Sequence, residues 1–314
     1  MAVAVFGSIN MDLVARTPRL PAPAETITGH EFFTAPGGKG ANQAVATARL
    51  QVPTTLVGRV GNDSFGQELR QNLKNAGVDV SAVFIDPEVN SGIAIIAIDD
   101  VAQNSIIIIP GANGRVGQVD VERLKQNLSE TKVLLLQLEV PMEATIAAAR
   151  LGQQMGVTVV LDPAPARDLP ASLYTLIDII TPNEVEASQL VGFPVNTEAD
   201  AARAADVILH RGVKTVIIKM GALGVFYATQ SDDPSKVRNF IPAFNVDAID
   251  TVAAGDAFNG GLATALIENQ PLSVAVRWGA AAGALSTTKP GAQPSMPNRA
   301  EFQTFLHEQN SRTD

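Results

Sequence analysis

Short hydrophobic runs alternate along most of the chain with stretches whose apolar residues recur at helical spacing. Runs such as Ala2–Ser8 and Thr54–Val60 predict buried strands. Strand alternating with helix favours a parallel sheet covered by helices on both faces, so we expect an α/β protein. Further strands are predicted at Val133–Leu138, Val157–Leu161, Ile177–Ile180 and Thr215–Lys219, with antiparallel additions at Val225–Tyr227 and Val237–Ile241. Helices are predicted at Gly38–Leu50, Met142–Met155, Asn183–Val191, Thr197–Arg211, Ala257–Ile267, Leu272–Leu285 and Arg299–Gln309, and a capping box at Ser64–Gln67 predicts another that ends near Ala76.

Two stretches depart from this alternation. Leu13–Phe33 contains three prolines and has no helical period, and Ser91–Ile109 contains two β-rich runs with a polar connection, which indicates a hairpin. Together they predict a small sheet that stands off the main domain. The run Ile106–Ile109 is apolar on both faces, so it is either covered by a ligand or a partner chain or is a buried core strand. The sequence leaves both readings open.

Composition excludes several classes of protein. The 314-residue chain has a net charge of −9, which argues against binding nucleic acid or an anionic membrane through a basic face. It has no cysteine, so disulfides, thiolate zinc sites and cysteine nucleophiles are excluded. We find no signal peptide at Met1–Phe6 and no apolar stretch of about 18 residues. We therefore expect a cytoplasmic protein with no membrane partner.

The segment with the strongest chemical signal is Asp250–Gly261. Three small residues, Ala253–Gly255, precede Asp256, after which the chain becomes apolar and helical. A helix that starts here leaves its first N–H groups free, and small side chains let an anion approach them. A carboxylate beside such an anion hole suits phosphoryl transfer, because it can accept the proton of an attacking hydroxyl. The alternative is an ordinary helix start with an aspartate that favours the helix dipole.

Polar residues also follow several predicted strands. Asn10 and Asp12 come after the first strand, and Glu139 comes after Val133–Leu138, where ligands bind in open parallel sheets. Asn10 and Asp12 could bind neighbouring hydroxyls of a sugar, or they could form a polar turn. The loop Pro36–Gln43 is rich in glycine but has neither the Walker A nor the dinucleotide-binding spacing. It could bring backbone close to a ligand or simply begin a helix.

Three later segments allow a similar pair of readings. Asn183 and Glu186 have the spacing of a capping box and could also lie at a phosphate or magnesium site. The glycines of Lys219–Gly224 could lie beneath an adenine or form a hairpin turn. Gly291–Ser295 could hold a cation together with Asp250, or could be a loop stiffened by proline.

Taken in order, these segments resemble the ribokinase (PfkB) family of sugar and nucleoside kinases, from Val3 to about Phe305. The two family signatures correspond to Gly37–Ala44 and Asp250–Gly260. The resemblance implies a three-layer α/β sandwich with a mostly parallel central sheet and a small β lid. It implies a single domain over residues 1–314, with lid segments at about 13–33 and 91–109. The intervening matches favour the ribokinases within the family; they are Gly7–Asp12, Leu136–Glu139, Asp162–Arg167, Thr181–Glu186 and Gly291–Ser295.

The resemblance also implies an activity, ATP-dependent phosphorylation of the 5-hydroxyl of D-ribose, with Mg²⁺ and K⁺ as cofactors and a homodimer joined through the lid. Other members of the family phosphorylate fructose, deoxyribose or nucleosides, and these activities are the nearer alternatives. A non-catalytic sugar-binding regulator is a further alternative. The paired polar residues Asn10 and Asp12, and an aromatic content of only 5%, favour a small free sugar over a nucleoside.

The family's functional residues correspond to the following positions of this sequence. The general base is Asp256, with anion-hole N–H groups from Ala253, Ala254 and Gly255. The sugar is bound by Asn10, Asp12, Gly38, Lys39, Asn42 and Glu139. ATP is bound by Asn183, Lys219, Gly221, Gly224 and Gly255, and Glu186 acts indirectly on magnesium. The monovalent cation is framed by Asp250, Val252, Ser286, Lys289, Gly291 and Ser295. Lys219 departs from the pattern, since ribokinases more often carry threonine there.

Overall fold

A computed structural model describes residues 1–101, 103–230 and 238–310. Its strands are β1 (Ala2–Phe6), β2 (Asn10–Thr17), β3 (Glu31–Gly37), β4 (Thr54–Gly61), β5 (Val83–Asp86), β6 (Gly92–Asp99), β7 (Asn104–Ile109), β8 (Thr131–Leu136), β9 (Thr158–Leu161), β10 (Ile179–Ile180), β11 (Thr215–Lys219), β12 (Gly224–Thr229) and β13 (Arg238–Pro242). Its α-helices are α1 (Lys39–Arg49), α2 (Ser64–Asn75), α3 (Gln118–Asn127), α4 (Met142–Gln154), α5 (Ala171–Tyr174), α6 (Glu184–Val191), α7 (Glu198–His210), α8 (Ala254–Ile267), α9 (Leu272–Ser286) and α10 (Arg299–Asn310).

The larger sheet lies at the centre of the molecule. Its strand order within the described ranges is β13-β12-β11-β10-β9-β8-β1-β4-β5. The strands from β11 to β5 in this order pair in parallel, while β12 and β13 pair antiparallel at one edge. Because parallel strands end at one edge of the sheet, the loops after β1, β8, β9, β10 and β11 meet there.

Helices cover both faces of this sheet, which confirms the predicted three-layer α/β sandwich. Strand β1 shows why: Ala4 and Phe6 pack into the cluster formed with α3, α4, α6 and α7, whereas Val3 and Val5 pack into the cluster formed with α1, α2, α8 and α9. Since successive side chains of a strand point to opposite faces, a run that is apolar throughout is buried on both sides. Helix α10 packs outside α9 through Phe302.

The smaller sheet has the order β3-β2-β6-β7. The predicted hairpin is present, with β6 and β7 antiparallel, and β2 joins it by pairing in parallel with β6. The sheet is longer than the predicted lid segments, because β2 begins at Asn10 and β3 continues to Gly37. The side chains of Ile106–Ile109 are all exposed. The reading of this run as a buried core strand is therefore wrong for the isolated chain.

Several local predictions need correction. The start of α2 is capped by Asp63, whose carboxylate accepts a hydrogen bond from Gly66 N–H, and not by Ser64. Helix α8 begins at Ala254 and not at Ala257, so Asp256 lies in its first turn. Strand β5 and helices α3 and α5 were not predicted. Parts of two predicted segments lie outside the described residues: position 102 in the hairpin connection and position 237 in the last strand. The C-terminal positions 311–314, which the sequence marks as a tail, also lie outside them.

No helix in the described ranges has both the length and the apolar character needed to cross a membrane.

Glycines bring α1 against the end of β1. A Cβ atom built on Gly40 would lie 2.7 Å from the backbone carbonyl carbon of Gly7 and 2.7 Å from Ser8 N. Real Cβ atoms essentially never approach other atoms so closely, and backbone cannot move aside as a flexible side chain can. The glycine-rich loop is therefore required so that α1 can begin directly over β1, where polar groups of both elements meet.

We expect Gly40→Ala to destabilise the protein by about 1–3 kcal/mol, the usual cost of overpacking a well-packed site. Urea unfolding measures the effect. Gly117→Ala is the control, because a Cβ there meets nothing closer than 3.8 Å. Equal stability of the Gly40 variant and the wild type would contradict this account of the loop.

Candidate active site

The carboxylate of Asp256 lies at the centre of the crevice above the parallel strands. It is buried in the first turn of α8 and accepts two amide hydrogen bonds from α1. Asn42 Nδ2 donates to Asp256 Oδ2 at 3.0 Å, and Gln43 Nε2 donates to Asp256 Oδ1 at 3.0 Å. The two donors are adjacent in sequence but contact different oxygens, so they fix the plane of the carboxylate. Gln43 was not predicted as a site residue.

Burial raises the pKa of Asp256 to about 6. The ammonium of Lys39 acts in the opposite direction, the negative charge of Asp162 raises the pKa further, and the two amides of α1 lower it. At neutral pH the group is therefore ionised, but it is a stronger base than an ordinary aspartate, whose pKa is 3.8. This is the property that general-base catalysis near neutral pH requires.

The start of α8, where the anion hole is predicted, contains this base. Ala253 adopts the left-handed conformation, with φ of 59°, and among the described residues no side chain caps the helix. Ala254 N–H bonds back to Thr251 O at 3.2 Å, and the first α-helical bond is donated by Ala257 N–H to Ala253 O. The intervening N–H groups of Gly255 and Asp256 lie at the positive end of the helix dipole, where an anion is stabilised. The predicted set therefore needs correction, because Ala254 N–H is already bonded and Asp256 N–H was not predicted.

A second group of polar residues lies where β1 and β8 end. Ser8 Oγ and Lys39 N–H both donate to Glu139 Oε2, the latter at 3.0 Å. Asn10 Oδ1 accepts a hydrogen bond from Asn113 Nδ2 at 2.7 Å. The structure thus brings Asn10 and Glu139 to the crevice as predicted, and adds Ser8 and Asn113. Asn113 belongs to a segment for which no element was predicted, and only the fold places it beside β1.

Asp12 follows Asn10 on β2, at the base of the smaller sheet. Burial, followed by the negative charges of Glu139 and Asp256, raises the pKa of Asp12 to about 7. The Lys39 ammonium lies among them: burial acts to lower its pKa, but the carboxylates raise it more strongly. Those carboxylates are Asp256, Asp162, Glu139 and Glu186.

Residues predicted to bind ATP surround the ends of β10 and β11. Asn183 and Glu186 form a complete capping box, in which Glu186 Oε2 accepts Asn183 N–H and Asn183 Oδ1 accepts Glu186 N–H, both at 2.8 Å. Burial and the charge of Asp162 raise the pKa of Glu186. Gly221 and Gly224 both have positive φ, at 50° and 132°, on either side of a single 3₁₀ turn. The capping interpretation is therefore confirmed, and the box still faces the crevice.

The predicted cation-site segments also meet. Both oxygens of Asp250 accept backbone N–H groups, from Val252 at 2.9 Å and from Gly291 at 2.8 Å. Lys289 does not reach Asp250, because its ammonium pairs with Glu301 at 2.7 Å. The hydroxyls of Ser286 and Ser295 donate to carbonyls of their own segments, those of Gly283 and Ala292. Asp250 is thus fixed by two backbone N–H groups, and Lys289 pairs with a different carboxylate.

A divalent metal has no preformed cage of side chains. Within residues 1–101, 103–230 and 238–310, no group of three or more His, Asp or Glu side chains is arranged to hold a metal ion. Glu186, which is predicted to act indirectly on magnesium, is buried, and both its oxygens accept hydrogen bonds from Asn183.

Comparison with known proteins agrees with this geometry. The model of the pfkB family carbohydrate kinases matches residues 2–299, and the chain belongs to that family. It is 42% identical to a ribokinase from Haemophilus influenzae over 96% of this chain and 97% of the relative. It is 35% identical to a deoxyribokinase from Salmonella typhi, over 98% of this chain and 99% of the relative. The structure of Arabidopsis thaliana ribokinase complexed with ribose and ATP superimposes with a TM-score of 0.87 at 34% identity, over 97% of this chain and 98% of that one. The ribokinase-like fold and an ATP-dependent sugar kinase activity are thereby confirmed.

The raised pKa of Asp256 predicts how activity depends on pH. The carboxylate accepts a proton only when ionised, so kcat/KM for the sugar should fall as the pH drops through the range of about 7 to 6 set by Asp12 and Asp256. Gln43→Leu removes a donor that lowers the pKa of Asp256, so its acid limb should move to higher pH. A pH–rate profile of both proteins measures this. A limb near pH 4 in the wild type, or a shift to lower pH in the variant, would contradict the assignment.

Proposed function

We propose that this chain transfers the γ-phosphate of ATP to the 5-hydroxyl of D-ribose, with cleavage of the bond between the γ-phosphorus and the β-phosphate oxygen, and releases D-ribose 5-phosphate and ADP. The observation that carries the proposal is the position of Asp256, ionised and fixed by Asn42 and Gln43 beside the uncapped N-terminus of α8. The carboxylate accepts the hydroxyl proton as the oxygen attacks phosphorus. The N–H groups at the helix start stabilise the charge on the transferred phosphate.

The polar group at the ends of β1 and β8 is the proposed ribose site. Hydroxyls of a free sugar can donate to the carboxylates of Asp12 and Glu139 and bond to the amides of Asn10 and Asn42. Gly38 has φ of 88° at the start of α1, where its backbone can approach the sugar closely. Lys39 offsets the negative charge of the surrounding carboxylates.

We place the nucleotide across the ends of β10 and β11. Asn183, Lys219, Gly221, Gly224 and Gly255 line this region, and the γ-phosphate then reaches the start of α8. Bound Mg²⁺ would supply charge neutralisation on the phosphates, with Glu186 nearby.

We also propose that K⁺ binds beside the loops of Asp250 and Gly291, together with Val252, Ser286, Lys289 and Ser295, and stabilises the segment that precedes the anion hole. Use of ATP as the phosphate donor agrees with a cytoplasmic location.

The smaller sheet is the proposed lid and dimer interface. Its outer strand β7 presents Ile106, Ile107, Ile108 and Ile109 to solvent, and Phe32 is also exposed. An exposed apolar strand at a sheet edge requires cover, and a second copy of the chain would supply it. Asp12 lies at the base of the same sheet, so closure of the lid would change the position of Asp12 relative to the bound sugar.

Deoxyribose is a second candidate substrate, since a deoxyribokinase is among the relatives that match over nearly the whole chain. Fructose and nucleosides, which other members of the family phosphorylate, remain alternative substrates. A regulator without catalysis is disfavoured by the intact arrangement around Asp256. A coupled ADP-release assay across free pentoses, hexoses and nucleosides ranks these substrates. Ribose should give the highest kcat/KM, and a preference for 2-deoxyribose, fructose or a nucleoside would contradict the proposal.

Asp256→Asn should keep ribose binding but lower turnover by about 10²–10⁴-fold, because an amide cannot accept the hydroxyl proton. Calorimetric titration with ribose and the coupled assay measure the two properties. Asp247→Asn, an exposed change in the preceding loop, is the matched control and should turn over normally. Turnover of Asp256→Asn close to that of the wild type would rule out Asp256 as the base.

The lid interface predicts a homodimer in solution. Ile106 and Ile108 share a face with Asp12, because Asp12 pairs with Ala94 and Ala94 with Ile108, while Ile107 lies on the opposite face. Ile107→Asp or Ile108→Asp, whichever face is covered, should yield monomers, because the carboxylate would be buried without a partner. Light scattering after size exclusion measures the mass. A wild-type protein that is monomeric at all concentrations would refute the interface.

A further inference from the structure

Lys219 reaches across the crevice to a buried carboxylate. It is the last residue of β11, and its ammonium donates to Asp162 Oδ1 at 2.9 Å, beyond the end of β9. Strand β10 lies between these two strands, so the lysine side chain spans its carboxyl end. The side chain of Asp162 is 3% exposed and that of Lys219 is 14% exposed. The carboxylate is thus buried, while the lysine side chain stays partly exposed.

The ammonium also lies against the start of α8. A Cβ atom built on Gly255, the second residue of the helix, would lie 3.2 Å from Lys219 Nζ. A helix N-terminus carries partial positive charge, so a cation there is repelled. Lys219 is held in this unfavourable place by Asp162. An anion bound at the helix start would be attracted both by the Lys219 ammonium and by the N-terminus of α8. It would thereby offset the repulsion between them.

We propose that Lys219 binds the phosphate being transferred, and that Asp162 is a positioning residue that holds the ammonium beside the anion hole until ATP arrives. The proposal rests on the proposed function, because it places the γ-phosphate at the start of α8. It adds a side-chain cation to the backbone N–H groups there. The crevice is rich in carboxylates, and such a cation offsets the repulsion that a phosphate would meet.

A competing role for the lysine follows from the other oxygen of Asp162. Asp162 Oδ2 accepts Gln43 Nε2 at 3.1 Å, and the same amide nitrogen donates to Asp256 Oδ1. In this alternative role, the only effect of Lys219 is to neutralise Asp162, whose negative charge acts on the base Asp256. The two roles predict different results when Asp162 is replaced by asparagine, because position 162 then has no negative charge for Lys219 to neutralise.

The experiment compares Lys219→Met, Asp162→Asn and the double variant in nucleotide binding and in turnover. Lys219→Met should weaken binding of the non-hydrolysable analogue AMP-PNP by about 10- to 100-fold, the range for a hydrogen bond to a charged group. Binding of ADP and the KM for ribose should change little, since neither ligand has a γ-phosphate. Asp162→Asn should weaken AMP-PNP binding less than Lys219→Met does, because the ammonium is still present but is no longer held in place. The double variant should be as defective as Lys219→Met, because Asp162 acts only through the lysine.

Lys214→Met is the matched control, because Lys214 precedes the same strand and pairs with Asp178 at 2.6 Å, away from the crevice. It should bind and turn over normally. If the Met variant unfolds, Lys219→Gln, which keeps a donor to Asp162, repeats the measurements. Equal losses of AMP-PNP and ADP, or a double variant as active as Asp162→Asn alone, would overturn the phosphate role.

Failure of this inference can be told apart from failure of the proposed function. The comparison of AMP-PNP with ADP needs no sugar, so it tests Lys219 whichever substrate the protein phosphorylates.

Discussion

A buried carboxylate can act as a base only while it stays ionised, and the arrangement around Asp256 meets this constraint. Burial favours the protonated form, and the charge of Asp162 adds to that effect. The Lys39 ammonium and the amides of Asn42 and Gln43 act against it. The result is a group that is charged at neutral pH but close to its titration range, which is the condition for accepting and releasing a proton readily.

The fold is what brings these opposing groups together. The base comes from α8, the amides from α1, and Asp162 follows β9, so three distant parts of the chain supply one carboxylate's environment. They meet because the parallel strands all end at one edge of the sheet. Glycine at position 40 lets α1 start against β1, and the left-handed Ala253 starts α8 early enough for Asp256 to enter its first turn.

Sequence patterns predicted much of this architecture, because most strands are apolar on both faces and the apolar residues of most helices recur about every 3.6 residues. They missed β5, which is a short edge strand, and α3, whose apolar stripe is weak. The site residues that follow strands, such as Asn10 and Glu139, were predictable from position and chemistry.

Other features of the site could not be read from the sequence. Asn113 and Gln43 acquire their roles through contacts across about a hundred or more positions of the chain, to Asn10 and Asp256. The partner of Lys289 is Glu301 and not Asp250, and the spacing gave no signal of this. A local pattern predicts which groups are available, whereas side-chain partners depend on how distant elements pack.

The central claim, that Asp256 is a base tuned by its neighbours, is tested most directly by titrating that carboxyl group itself. Protein labelled with ¹³C at aspartate carboxyls would be followed by NMR as the pH is lowered, and the resonance of Asp256 would be assigned by its loss in Asp256→Asn. The account predicts a midpoint near 6 for this resonance. A midpoint near 3.8, the value of an ordinary aspartate, would show that the surrounding groups do not tune the base and would contradict the account.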